Sequence, residues 1–231
     1  MHFSHHPDLR ARYPELAAGA LAARGIHADA DVSGPLAHHE GMARERLRAA
    51  GSESELPEIQ AWRRAFAGMG LKPTQYRCAS ESLLRRLRKE GSLPRIHPLV
   101  DVCNAISMAH AIPVAVLDTA QVAQWLQVRF SRGDERYLTF SGAVEHPEPG
   151  EVTFVDAAGN AHARRWTHRQ SGLSAVRADT REVLIVAEAL HAAGPAAVRD
   201  VLAAIAAALE AGWGADCKAA ILAPESPRFE F

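Results

Sequence analysis

The stretch that most constrains this 231-residue chain is Leu93 to Asp118, LPRIHPLVDVCNAISMAHAIPVAVLD. Two polar residues, Asp101 and Asn104, interrupt its apolar segment from Leu99 to Ile106. Pro98 predicts the first turn of a helix, where its missing N–H would have had no partner anyway. On that helix Asp101 and Asn104 stand three apart and share a face. Ile112 to Leu117 then predicts a short buried strand ending at Asp118. A buried polar group is costly unless it meets a partner. A carboxylate and an amide beneath apolar neighbours therefore mean either a helix-start network or a polar ligand. On these residues alone the network is the simpler reading.

The rest of the chain punctuates into helices and strands. Residues 36–50 predict a polar helix ending before Gly51. Pro57 to Gly70 predicts a second, with Ile59, Trp62, Phe66 and Met69 on one stripe facing a core. Ser80 predicts the cap of a third, with Leu83, Leu84 and Leu87 inward and Gly91 as its stop. Beyond Asp118 the pattern alternates: Trp125 to Phe130 and Glu135 to Phe140 predict strands around a turn at 131–134. Glu151 to Asp156 and Ala161 to Trp166 predict a hairpin turning at 157–160. Val183 to Ala187 predicts a buried strand, Pro195 to Ala211 an Ala-rich amphipathic helix, and Lys218 to Leu222 a last strand. Pro224 to Phe231 reads as a tail. There is no internal repeat or low-complexity linker. The expectation is one α+β domain spanning 1–231, with a core of about 10–225 and mixed or antiparallel central sheets flanked by helices.

Composition narrows the function classes. A net charge of −1 gives no global basic field to attract nucleic acid, and no DNA partner is expected. Local clusters exist at Arg85, Arg86, Arg88, Lys89 and Arg95, and again at Arg164, Arg165 and Arg169. The first also suits the negative end of a helix dipole, with no RNA required. No apolar run approaches a membrane span, and the N-terminus has no secretory pattern, so a cytoplasmic protein is expected. The three cysteines, Cys78, Cys103 and Cys217, are isolated, which suits reduced thiols. His5-His6 and His38-His39 sit in polar segments and read as solvated. No metal and no cofactor is expected.

Val100-Asp101-Val102-Cys103-Asn104, followed at matching distance by Ile112-Pro113-Val114-Ala115-Val116-Leu117-Asp118, resembles the editing module of the bacterial phenylalanyl-tRNA synthetase beta subunit, the B3/B4 domain. The resemblance extends to freestanding relatives through Trp62 to Phe66, Met69 to Pro73, Ser80 to Arg86, Gly133 to Glu135, Pro149 to Val152, and Arg165 to Ser171. It covers about residues 10 to 225. It implies a strand over 13–26, where alanine content alone would suggest helix. It also implies hydrolysis of the ester that joins a wrong amino acid to tRNA, and thus a freestanding trans-editing deacylase with a mischarged tRNA as partner. Canavanine on arginine tRNA is the substrate associated with some relatives. A non-catalytic tRNA- or amino-acid-binding module on the same scaffold is the competing reading.

The resemblance marks departures too. The family's His is Ala115 here, its Thr is Cys103, and its glycine-rich loop corresponds to Gln170-Ser171-Gly172. Asn104 matches the family Asn and is the leading catalytic candidate, with Asp101 holding its loop and Ser107 one turn on. Asp118 and Glu188 are candidates for an amino group or a cationic side chain, Glu188 falling two places from the family's acidic position. Gln170, Ser171 and Ala115 would line the substrate pocket. Arg77, Arg85, Arg86 and Arg169 would grip the tRNA. An aminoacyl ester is already activated, so its hydrolysis needs an oriented water and a stabilised oxyanion rather than a strong nucleophile.

Overall fold

The computed structural model describes residues 1–223 and 225–231. It begins with two elements the sequence reading missed, β1 (His2–His5) and α1 (Pro7–Arg12). Then come β2 (Ala17–Arg24), α2 (Ser33–Ala50), α3 (Pro57–Gly68), α4 (Ala79–Glu90) and α5 (Pro98–His110). The strand-rich half holds β3 (Val114–Asp118), β4 (Trp125–Phe130), β5 (Tyr137–Leu138), β6 (Val144–Glu145), β7 (Val152–Asp156), β8 (Ala161–Arg164), β9 (Arg169–Gln170) and β10 (Glu182–Ala189). It closes with α6 (Gly194–Trp213), β11 (Cys217–Leu222) and β12 (Arg228–Glu230). The class is α+β, as the sequence predicts.

Two sheets organise the molecule. One has six strands in the order β12-β1-β4-β7-β8-β9, the other four in the order β11-β2-β10-β3. Within the six-stranded sheet β1 runs parallel to β4, and the remaining named pairs are antiparallel. Strand alternation divides the side chains of β10 between two cores. Leu184 and Val186 join Phe3, Leu126, Val128 and Phe154 between the sheets. Val183, Ile185 and Ala187 join Ile106 of α5 and Val198 and Ile205 of α6 on the opposite face. A Cβ added to Gly19 would lie 2.6 Å from Leu202, so the close seat of α6 on β2 requires glycine there.

Local chemistry sets the ends of the elements. Pro98 opens α5, and the His97 ring accepts from the Leu99 N–H at its cap. Asp101 accepts from the Ile96 N–H at 2.9 Å, a helix-start clamp. Ser80 does not cap α4; Cys78 holds that position, and the Ser80 hydroxyl donates instead to the Ala111 carbonyl. The strand predicted to reach Trp166 stops at Arg164, because Arg165 and Trp166 adopt φ of 48° and 57°. Such left-handed backbone cannot continue a strand. The tail reading is also corrected. Arg228–Glu230 pairs antiparallel with β1, since that strand's free edge can complete its hydrogen bonds only by taking a partner. Pro224, where that reading began, lies outside the described residues.

Candidate functional site

Where β3 begins and β10 ends, a cavity of about 60 Å³ opens between the two sheets. Pro113, Val114, Ala115, Phe154, Ala163 and Val186 give it apolar walls. Glu188 supplies a carboxylate, and Thr167, His168, Arg169 and Gln170 form a polar side. Register explains the convergence. Ala115 pairs with Val186 across β3 and β10, and Glu188, two residues on, points the same way.

Glu188 is 2% exposed and held by two donors from distant parts of the chain. The His5 Nε2 lies 2.7 Å from its Oε1, and the Trp166 indole N–H donates to Oε2 at 3.0 Å. Arg10 stands 3.3 Å behind the His5 Nδ1 and also donates to the Leu16 carbonyl at 3.1 Å. Burial pushes the His5 imidazole below its ordinary pKa, and the hydrogen bond and charge of Glu188 only partly offset this. The expectation that His5 is solvated is therefore overturned. It shares the inward face of β1 with Phe3, to which its ring packs edge-on at 5.2 Å. The Phe3-Ser4-His5 alternation was the signal available in the sequence.

Trp166 anchors the polar side. It is fully buried and packs edge-on to Tyr13 and Trp62, at 4.9 and 5.0 Å between ring centroids. The left-handed turn before it is fastened by Glu151, which accepts from the Arg165 N–H at 2.8 Å and from the Arg164 guanidinium at 2.9 and 3.0 Å. Burial alone would raise the Glu151 pKa, but these donors outweigh it and hold it below the usual range. Next to the turn, Arg165 lies 4.8 Å over the Tyr76 ring and His168 packs against the same ring. Gln170 donates to the Val116 carbonyl at 2.7 Å and so ties this side to β3. The Thr167 hydroxyl is buried with no hydrogen-bond partner among the described residues.

The structure thus brings together four of the predicted site residues: Glu188, Ala115, Gln170 and Arg169. It does not bring the others there. Asn104 is half-buried on α5, seven residues before Ala111 and so about 10 Å back along the helix. The Ser107 hydroxyl is committed to the Ile112 carbonyl at 2.6 Å, and Asp101 to its helix start. Asp118 accepts from Thr180 at 2.7 Å and from the Ala120 N–H at the far end of β3. Ser171 donates to the Leu138 carbonyl, and Arg77 pairs at 3.5 Å with Glu81 behind the rim. All of these but Asn104 are occupied by a local structural partner.

The first basic cluster is largely neutralised as well. Arg85 and Arg88 both reach Glu53, Arg86 reaches Glu90, and Arg95 reaches Glu40. Arg169 is exposed at the cavity mouth with a 3.6 Å contact to Glu145. For a nucleic-acid ligand at this mouth, Arg169→Gln is expected to reduce the salt dependence of binding by about one unit of slope, and Arg86→Gln to leave it unchanged. Filter binding across a salt series measures both.

Among the described residues no group of three or more His, Cys, Asp or Glu is arranged to hold a metal ion, and no helix is long and apolar enough to cross a membrane. Burial pushes the Cys78 and Cys103 thiols up to about 12, which removes them as nucleophiles. A thiol reagent should therefore label the half-buried Cys217 in the native protein, and all three cysteines only after denaturation.

The B3/4 domain family matches residues 61–201, more than half of the chain. Among solved structures, an N-terminal fragment of the phenylalanyl-tRNA synthetase beta-subunit from Pyrococcus horikoshii is similar in fold, with a TM-score of 0.51 and 8% identity. The alignment covers 93% of this chain and 49% of that one, so the chain spans about half the length of the fragment. No curated protein matches the sequence.

Proposed function

Because the chain belongs to the B3/4 domain family, we propose that it is a tRNA-binding hydrolase that clears a wrong amino acid from tRNA, with the cavity at Glu188 as the site. The observation that carries this reading is a buried, doubly hydrogen-bonded carboxylate at the base of an apolar cavity whose mouth is cationic. Glu188 receives the cationic group of the amino acid. Arg169 and His168 face the phosphates of the tRNA end. An ester carbonyl seated between them lies beside Thr167, whose unpartnered hydroxyl can donate to the developing oxyanion or hold the attacking water. Water adds to the carbonyl carbon, and the ribose oxygen leaves with a proton. Positioning rather than an activated nucleophile supplies the catalysis.

Cavity size bears on the substrate. About 60 Å³ holds an ammonium or guanidinium head, whereas an engineered cavity that accepts benzene is roughly 150 Å³. A carboxylate left facing an apolar ligand is costly, which turns polarity into discrimination. We therefore favour a guanidino-type amino acid, canavanine on arginine tRNA first, over tyrosine on phenylalanine tRNA. Glu188 alone carries that preference, since Asp118 is engaged elsewhere.

One observation favours the non-catalytic alternative: Ala115 stands where the resembling synthetase module has His, so this wall of the cavity carries no imidazole. Deacylation of a panel of charged tRNAs, including canavanyl, arginyl and tyrosyl esters, separates the readings. Hydrolysis of a mischarged ester supports the enzyme. Binding without hydrolysis throughout supports the module. Faster tyrosine release would overturn the substrate preference.

A further inference from the structure

We propose that His5 is a positioning residue that locks Glu188, through Arg10, as a preformed receptor for a cation; this deepens the reading of the same cavity given above. The hydrogen-bond chain has only one consistent direction. A guanidinium donates and never accepts. Arg10, 3.3 Å from the His5 Nδ1, therefore requires the lone pair on that nitrogen and places the ring proton on Nε2. The Nε2–H then donates to Glu188 over 2.7 Å. Trp166 can only donate to the other carboxylate oxygen, at 3.0 Å. Two fixed N–H donors, one on each oxygen, fix the plane of the carboxylate.

Arg10 is anchored away from the cavity by the Leu16 carbonyl. It therefore steers the histidine tautomer without itself neutralising Glu188 by direct contact. The charged groups facing this ring are Glu188 of β10 and Arg10 of α1; Arg169 and His168 stand on the cavity's other side. With one donor on each oxygen, Glu188 keeps lone pairs toward the cavity. A ligand offering N–H donors with positive charge completes the set, and an apolar group leaves it open.

Two variants and one spectroscopic signature test this. His5→Leu removes both hydrogen bonds. His5→Gln restores both, since its amide N–H can donate to Glu188 while its carbonyl accepts from Arg10. We expect His5→Leu to weaken binding of arginine amide, followed by tryptophan fluorescence, by about tenfold. His5→Gln should recover most of that loss, and the KM for a hydrolysed ester should follow the same order with kcat moving less. Nitrogen-15 NMR of the wild-type protein at pH 7 should show a neutral His5 ring protonated at Nε2. The opposite tautomer, an imidazolium, or His5→Gln binding no better than His5→Leu while melting like the wild type would overturn the proposal. So would wild-type protein that does not bind arginine amide. Absence of hydrolysis on every charged tRNA, with these binding and NMR results intact, would instead overturn the deacylase reading alone.

Discussion

Glu188→Gln is expected to cost about ten- to hundredfold in kcat/KM on the preferred ester, and to lower the melting midpoint by about 2–10 °C. The substitution keeps shape but not hydrogen-bond polarity. Both oxygens of Glu188 accept from N–H donors, His5 on one side and Trp166 on the other. The glutamine amide has one acceptor and one donor, so its NH₂ must oppose one of those N–H groups whichever way it turns. If His5 changes tautomer to relieve the clash, its Nδ1–H then opposes Arg10. The defect therefore spreads to a second contact, and lost charge toward the substrate adds to it. Thermal melts and deacylation kinetics read the two effects separately. A variant that melts lower yet turns over at the wild-type rate would remove Glu188 from the chemistry.

Trp166→Ala is expected to be among the most destabilising single substitutions in the protein. Its side chain is fully buried against Trp62 and Tyr13, and truncating a buried tryptophan costs about 3–5 kcal/mol. That is a large fraction of a typical domain's stability of about 5–15 kcal/mol, and corresponds to a fall of about 10 °C in the melting midpoint. The indole also stabilises a costly backbone, because residue 166 has a φ of 57° and residue 165 a φ of 48°. Packing over-determines this left-handed pair, and losing the packing frees the turn that carries Thr167, His168 and Arg169. Trp166→Phe separates the two roles. It keeps most of the buried area but lacks the N–H to Glu188, so it should lose clearly less stability than Trp166→Ala while still weakening substrate binding. Equal stability of Trp166→Ala and the wild type would show that the aromatic cluster does not hold this loop.

Much of the fold was legible along the chain. Pro98 marked the start of α5 because proline tolerates only the first turn, and Gly91 marked the end of α4 because glycine accepts the left-handed cap. The alternation of Trp125 to Phe130 marked β4. These are local effects, decided within a few residues by sterics and hydrogen bonding, so sequence spacing encodes them directly. The reading went astray where the signal was short or the partner remote. A four-residue β1 is too brief to alternate convincingly, and β12 becomes a strand only because β1 offers an edge.

The site divided along the same line. The sequence, through its resemblance to the editing module, marked Glu188, Gln170, Arg169 and Ala115 as candidates. It could also determine that Asp101 and Asn104 share a helix face, but not what that face meets. Only the tertiary structure decided that Asp118 and Ser107 are consumed by neighbours, that Asn104 lies back along its helix, and that His5 reaches Glu188 across 183 residues. The physical reason is register. Alternation fixes which strand residues share a face, but which face meets which sheet depends on pairing between remote strands, and a slip of one residue would turn Glu188 from the cavity toward the helices.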